Sequence, residues 1–161
     1  MAIARVSGVR IAGIANAVPE NVAVNEDSIE IFGEQIVRRI NETTGIESRH
    51  IAPPDICSSD LCEAAMTTLL DDLSWERESI DLLIFVSQTP DYVLPATACS
   101  MHGRLGLAHN CVAFDVNLGC SGYVYGLWMA SQLMQSGTFK RGLLAVGDTI
   151  SRMVSPEDRA S

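Results

Sequence analysis

The sequence predicts an α/β fold in which helices cover both faces of a mostly parallel or mixed sheet. Short apolar runs of strand length alternate with stretches of helical periodicity along the chain, an arrangement typical of βαβ units. The chain has 161 residues, of which 47% are hydrophobic, so it can bury a continuous core. We therefore predict one folded domain over residues 1–161.

The first two predicted elements are a strand and an amphipathic helix. In RVSGVRIAGIANAVP, at residues 5–19, apolar and small residues alternate as in a strand, and Pro19 ends the pattern. In DLCEAAMTTLLDDL, at residues 60–73, apolar residues recur at helical spacing after polar residues that favour a helix N-terminus. The helical residues on this spacing are Leu61, Ala65, Leu69 and Leu73.

Three buried strands and two helices follow in alternation. DLLIFVSQ at 81–88, CVAFDV at 111–116 and GLLAVGDT at 142–149 are short apolar runs of the kind found in buried parallel strands. Residues 96–106 and 121–135 separate these runs, and we predict that both form helices. A parallel sheet with helices on its faces follows from this order.

The helix predicted at residues 121–135, SGYVYGLWMASQLMQ, contains no charged residue. A helix on the surface of a small three-layer domain normally keeps one polar face towards water. We therefore expect residues beyond this chain to cover the helix. The chain is expected to represent half of a larger fold.

Charge and hydropathy exclude several classes of partner. The formal net charge of -9 argues against a surface that neutralises nucleic-acid phosphates or anionic lipids. No apolar run reaches the ~18 residues of a membrane span, and the N-terminus lacks the pattern of a signal peptide. We expect a cytoplasmic protein whose partners are small molecules or other proteins, with no nucleic acid and no membrane.

The five cysteines are odd in number and show no paired C-x-x-C spacing, which weighs against both a disulfide framework and a structural zinc site. His109 lies two residues from Cys111, but two ligands do not make a tetrahedral set. We predict no metal. The cysteines are Cys57, Cys62, Cys99, Cys111 and Cys120.

Cys120 stands out because it lies between two glycines where a predicted strand gives way to a predicted helix. Gly119 and Gly122 permit a tight turn and close backbone approach. At the start of a helix, unpaired N–H groups and the helix dipole stabilise a thiolate, and the same N–H groups can bind an oxyanion. The cysteine is therefore either a small buried hydrophobe or a nucleophile. No histidine has a spacing that ties it to Cys120 as a base.

Several segments together resemble one enzyme family. The segment AFDVNLGCSGYVYGLWMAS at 113–131 is similar to the active-site segment of β-ketoacyl-carrier-protein synthase III, a condensing enzyme of the thiolase-like superfamily. The other similar segments occur in the family's order and spacing over nearly the whole chain. They are VPENVAVNED, TTGIESRHIA, DLLIFVSQTPDYVLPATAC, LGL and VSPEDR.

The resemblance implies the N-terminal half of a thiolase-like fold with layers αβαβα, and a decarboxylative Claisen condensation without a cofactor. Cys120 would take an acyl group from an acyl thioester and pass it to a malonyl-derived carbanion, in fatty acid or polyketide biosynthesis. In the family, a histidine and an asparagine from the second half promote the decarboxylation. That C-terminal half would be a required partner.

The resemblance also implies binding residues and partners. Arg39 and Thr43 occupy positions where the family commonly has a tryptophan and an arginine that bind coenzyme A. Arg159 matches an arginine that covers the adenine, and Leu94 matches a residue that reaches the acyl pocket of a homodimer partner. An acyl carrier protein is a further implied partner, and we expect it to dock on the absent half because this chain is acidic.

Two alternatives remain open. The Trp-to-Arg exchange at Arg39 is compatible with a thiolase-like acyltransferase that forms no carbon–carbon bond. A noncatalytic half-subunit that completes a partner's fold is the other alternative, and the retention of Cys120 weighs against it.

Overall fold

The computed structural model describes residues 3–155. The described chain divides into two compact units, one formed by residues 3–17 and 58–148, the other by residues 18–57 and 149–155. The predicted strand–helix alternation from residue 60 onward falls in the first unit, and the second contains the segment that carries Arg39.

The smaller unit, residues 18–57 and 149–155, contains a two-stranded antiparallel sheet and helices. Strand β1 (Val22–Val24) pairs with β2 (Ser48–His50), with Ala23 opposite Arg49. Helices α1 (Ile29–Phe32) and α2 (Glu34–Thr44) connect them. Helix α2 ends at Gly45, which has the left-handed conformation (φ 70°) that glycine tolerates best.

Buried Asn25 stabilises this unit through its side chain. Its Nδ2 donates to Oδ1 of Asn41 at 2.7 Å and to the carbonyl of Ile46 at 2.8 Å, and its Oδ1 accepts from Arg49 at 2.7 Å. A buried amide with partners on both its oxygen and its nitrogen avoids the cost of an unpaired polar group. Asn25 therefore connects α2 with strand β2 and the residues just before it.

The larger unit is a three-stranded parallel sheet between helices. The helices are α3 (Ser58–Leu73), α4 (Thr97–Leu105) and α5 (Gly122–Gln135). The strands are β3 (Leu82–Val86), β4 (Val112–Val116) and β5 (Gly142–Val146), in the order β4-β3-β5. These six elements lie within two residues of the predicted bounds at nearly every end, so the α/β prediction is confirmed.

Separate apolar clusters cover the two faces of this sheet. On one face, Leu83 and Phe85 of β3 pack with side chains of α3 and α4, including Leu70 and Met101. On the other, Leu82, Ile84 and Val86 pack against α5. Every residue of β3 is buried because this strand is central and covered on both faces.

The predicted first strand is wrong. Between residues 3 and 19 the structure has no strand, and no backbone amide or carbonyl of this segment pairs with another backbone group of residues 3–155. Gly13 instead lies against Leu69 and Leu73 of α3. The apolar pattern was present, but a strand also needs a neighbouring strand with which to form a ladder, and the described residues provide none here.

Helix α5 is exposed along one apolar side, as its lack of charge predicted. Its exposed apolar side chains form a continuous run that we call the α5 apolar face, and Val124 is 66% exposed. The face consists of Tyr123, Val124, Tyr125 and Trp128. Among residues 3–155, no helix has the length and hydropathy of a membrane span.

Candidate active site

Cys120 lies at the carboxyl edge of the parallel sheet, two residues before α5 begins. The strands end level with one another, because Val86 of β3 is paired with Val116 of β4 and Val146 of β5. The segments that follow the strands therefore meet at one edge, which is where open α/β sheets bind ligands. The thiol of Cys120 is exposed there.

The turn that carries Cys120 packs closely on the end of β3. A Cβ atom at Gly122 would lie 2.7 Å from Cγ1 of Val86, and one at Gly126 would lie 2.8 Å from Cγ2 of the same residue. Neither Gly119 nor Gly122 has a positive φ. The glycines around Cys120 are thus required for close approach and not for a left-handed backbone.

Two backbone N–H groups at this turn are available to a ligand. The N–H of Gly122 donates to the carbonyl of Gly119 at 2.7 Å and closes the turn. No acceptor within residues 3–155 takes the N–H of Cys120 or of Ser121. Donors of this kind beside a nucleophile can stabilise the oxyanion of a tetrahedral intermediate.

A carboxylate organises the segment that follows β3 at the same edge. Oδ1 of Asp148 accepts from the Ser87 hydroxyl and from the N–H of Gln88, both at 2.8 Å, and from Thr89 at 3.3 Å. Nε2 of Gln88 donates to Oδ2 of Asp148 at 3.3 Å. Sequence reasoning missed this cluster; the signal was the polar residues at the ends of two of the predicted strand runs, 81–88 and 142–149.

The other four cysteines have different surroundings. Burial raises the pKa of Cys62 to about 12, with the carboxylates of Asp91 and Asp148 adding to the effect. Burial also raises the pKa of Cys111 to about 11, with a contribution from Asp81.

Cys99 and Cys57 complete the set. Cys99 is exposed on α4. Cys57 is half-buried, and its Sγ accepts from Arg152 at 2.9 Å. Cys120 is the one of the five that lies at the carboxyl edge directly before a helix.

No histidine of the described larger unit is placed to act as a base for Cys120. Nε2 of His102 donates to the carbonyl of Ala108 at 2.9 Å. His109 precedes β4 at its amino end, whereas Cys120 follows its carboxyl end. In the smaller unit, the His50 ring is bonded to the carbonyl of Pro19 at 2.6 Å.

The predicted binding residues lie in separate parts of the chain. Leu94 is 84% exposed in the loop between β3 and α4. This loop is anchored at both ends, since Asp91 bonds to Ser59 and to Thr97, and Asp115 of β4 accepts from the first N–H groups of α4 at 2.7 Å.

Arg39 belongs to the smaller unit. Arg39 is exposed on α2 and forms no ion pair within residues 3–155. Arg159 lies outside the described residues. In the part of the chain that the structure describes, no group of three or more histidine, cysteine and acidic side chains could hold a metal ion.

Comparisons with known proteins agree with the fold and with the resemblance. Residues 114–161 match the family described as 3-Oxoacyl-[acyl-carrier-protein (ACP)] synthase III. The beta-ketoacyl-(acyl-carrier-protein) synthase III of Desulfitobacterium hafniense is 38% identical over 156 residues, which is 95% of this chain and 46% of that protein.

Solved structures show the same similarity. The crystal structure of a 3-oxoacyl-(acyl-carrier-protein) synthase from Burkholderia xenovorans is 46% identical with a TM-score of 0.93, and the match covers 96% of this chain and 44% of that one. The synthase III structure from Aquifex aeolicus is 31% identical with a TM-score of 0.86, over 96% of this chain and 49% of that one. The chain therefore spans about half the length of the relatives that it matches, and over nearly all of its own length it is similar to 3-oxoacyl-(acyl-carrier-protein) synthases III.

Proposed function

We propose that this chain supplies the nucleophilic half of a 3-oxoacyl-(acyl-carrier-protein) synthase III, and that Cys120 is the residue that is acylated. The observation that carries the proposal is the position of an exposed thiol beside two backbone N–H groups without acceptors, at the carboxyl edge of the sheet. A nucleophile and oxyanion donors in one turn are the two elements that acyl transfer requires.

In the first step, the thiolate of Cys120 attacks the carbonyl carbon of an acyl thioester. The N–H groups at the turn stabilise the oxyanion, the bond to the donor's sulfur breaks, and the released thiolate takes up a proton. The acyl group is then held on Cys120 as a thioester. A covalent intermediate of this kind divides one difficult reaction into two easier ones.

In the second step, a malonyl thioester loses carbon dioxide, and the resulting carbanion attacks the acyl group on Cys120. The new carbon–carbon bond forms as the bond to Sγ breaks, which restores the cysteine. Decarboxylation needs groups that stabilise the developing negative charge of the extender. We propose that these groups come from a C-terminal half of the same fold.

Substrate binding and assembly extend the proposal. We propose acyl-coenzyme A as a donor, with Arg39 and Arg159 against its nucleotide, and a malonyl group on an acyl carrier protein as the extender. Exposed Leu94, on its anchored loop, would enter the acyl pocket of a second subunit in a homodimer. A protruding leucine on a loop that is fixed at both ends is well suited to such a contact.

One observation supports a second candidate. Arg39, which occupies a position where the family commonly has tryptophan, is compatible with an acyltransferase that passes the acyl group to an alcohol or amine. Both candidates share the acylation of Cys120 and differ only in the acceptor.

The test incubates the protein with a labelled acyl thioester and malonyl-carrier protein and follows protein-bound label and released carbon dioxide separately. We expect residues 1–161 alone to take up label at Cys120 without sustained carbon dioxide release, and the polypeptide with its C-terminal half to release both product and carbon dioxide. Sustained release of carbon dioxide by residues 1–161 alone would contradict the proposal that decarboxylation needs the C-terminal half. Label uptake without carbon dioxide from the complete protein would favour the second candidate.

A further inference from the structure

Gly119, the residue before Cys120, has the side chain of Gln88 where its own side chain would be. A Cβ atom at Gly119 would lie 2.6 Å from Oε1 of Gln88, 3.1 Å from its Cδ and 3.4 Å from its Nε2. The φ of Gly119 is not positive, so backbone conformation does not require glycine at this position. The close approach of the glutamine amide leaves no room for a side chain there unless the end of the glutamine side chain moves.

The amide of Gln88 is held in place by Asp148. The carboxylate accepts from the backbone N–H of Gln88 at 2.8 Å through Oδ1 and from its Nε2 at 3.3 Å through Oδ2. Because Nε2 faces Asp148, Oε1 is the atom that faces Gly119. The glutamine thus extends from the carboxylate to the backbone of the turn.

Asp148 itself is fixed by buried groups. Its Oδ1 accepts from the hydroxyl of Ser87 at 2.8 Å and from the backbone N–H of Thr89 at 3.3 Å, and both of these residues are buried. Hydrogen bonds to a carboxylate are stronger than those between neutral groups. The carboxylate, although exposed, is therefore held by several hydrogen bonds at this edge.

The same strand end supports the turn on its other side, where Val86 contacts Gly122. The turn that presents Cys120 is held between Val86, the last residue of β3, and Gln88, two residues later. An apolar contact alone fixes how deep the turn lies but not its direction along the edge. The glutamine amide, beside Gly119, is the group placed to restrict that second freedom.

We propose that Gln88, oriented by Asp148, is a positioning residue for Cys120 that fixes the turn in the geometry needed for attack on a thioester. The inference rests on the proposed role of Cys120. Misplacement of a nucleophile by a fraction of an ångström to an ångström is expected to slow attack by about 10- to 100-fold. It should leave substrate affinity largely unchanged, because Gln88 acts through the turn.

The experiment uses the polypeptide that includes the C-terminal half, which we call the full-length protein. It measures the rate of Cys120 acylation against acyl-thioester concentration in the wild type and in Gln88→Ala, which removes an exposed side chain and should fold. We expect the saturating rate to fall about 10- to 100-fold with KM unchanged. Alkylation of Cys120 by iodoacetamide should be unaffected, because this reagent needs an accessible thiol but no particular orientation of the thiol. Gln88→Met, of similar size but without the amide, should be as slow as Gln88→Ala.

Gln135→Ala is the matched control, since this glutamine accepts one hydrogen bond from Ser7 at the opposite end of α5. Asp148→Asn combined with Gln88→Ala should be no slower than the slower single variant, because both changes release the same amide.

Wild-type acylation rates in Gln88→Ala, or full activity in Gln88→Met, would overturn this inference and leave the proposed function intact. A wild-type protein in which Cys120 is not acylated would overturn both.

Discussion

At the scale of single residues, position in the sheet separates one cysteine from the other four. Cys62 and Cys111 lie in the core, where a thiolate would be poorly solvated, whereas Cys120 lies at an open turn beside N–H donors. Cys99 is exposed but lies on α4, between the helix ends. Cys57 has a guanidinium as its neighbour.

Limiting iodoacetamide should therefore label Cys120 before any other thiol in the folded, full-length protein. Peptide mapping of the adduct measures the order of labelling, and Cys99→Ser is the matched control because it removes the other exposed thiol. Preferential labelling of Cys57 or Cys62, with Cys120 untouched, would contradict our view of the turn.

The pH dependence of labelling gives an independent check on the buried thiols. Their pKa values are raised to about 12 for Cys62 and about 11 for Cys111, so both stay protonated as the pH rises past the ordinary range for cysteine. At pH 8 the thiolate is expected in roughly one molecule in a thousand for Cys111 and fewer for Cys62. Labelling of either at pH 8 at the rate of a denatured control would show that burial does not protect it.

The sequence was informative about Cys120 and silent about the groups around it. Flanking glycines between a predicted strand and a predicted helix placed the thiol at a turn, as observed. The roles of Gln88 and Asp148 were not predictable, because their contact depends on parallel strands that are far apart in sequence ending level with each other. The sequence predicted a close backbone approach at these glycines, but not that the group beside Gly119 is the side chain of Gln88, since contact with a distant side chain has no local signature.

At the scale of elements, α5 approaches the sheet as closely as it does because glycine occurs at Gly122 and Gly126, one helical turn apart. A Cβ atom at Gly126 would meet both Val86 and Leu144, at 2.8 and 3.0 Å. Since α5 begins two residues after Cys120, the packing of this helix also sets the height of the thiol above the sheet.

Gly126→Ala should destabilise the folded protein by about 1–3 kcal/mol, because the added methyl group overpacks the contact with β3 and β5. Thermal or urea unfolding of the full-length protein measures the change. Gly103→Ala is the control, as a Cβ atom there meets nothing within 4 Å on α4. It should be neutral or stabilising by up to about 1 kcal/mol. Equal destabilisation by both changes would show that space at Gly126 is not limiting.

The elements that the sequence predicted well are those that form their contacts within the chain. Three buried strands and their helices were recognisable because apolar runs and helical periodicity reflect the two faces of this sheet. The segment at 5–19 has a strand pattern without a strand, because pairing is a property of two segments and the described chain supplies only one. In the same way, the apolar side of α5 is exposed because no element of the described chain covers it.

At the scale of the whole molecule, two groups of exposed apolar side chains lie where further structure is expected. The α5 apolar face and the loop with Tyr92, Val93 and Leu94 are both exposed. Contiguous apolar patches of this kind usually belong to interfaces. We relate the first to a C-terminal half and the second to a second subunit.

Residues 1–161 alone should self-associate through the α5 apolar face. The double variant Val124→Lys/Trp128→Lys should lower the average mass in light scattering, because two charges oppose burial of the face. Ile36→Lys on α2, also an exposed apolar site, is the comparison change. A monomeric wild-type chain, or equal effects of both changes, would show that this face is not the interaction surface.

The complete protein should form a homodimer to which Leu94 contributes. Leu94→Asp should weaken the dimer by placing a charge in the partner's apolar pocket, whereas the same change at Ile36 should leave it intact. Analytical ultracentrifugation or light scattering on full-length material measures both. A stable monomer that retains activity would rule out this arrangement.

Acyl transfer to Cys120 is the step on which the account as a whole depends, and the most direct measurement is to locate the acyl group. The full-length protein is incubated with acetyl-coenzyme A, digested, and analysed by mass spectrometry. We predict one acetyl group on the peptide that contains Cys120, retained in Cys99→Ser and lost in Cys120→Ser. An acetyl group that persists in Cys120→Ser, or a wild-type protein that carries none under turnover conditions, would contradict the account.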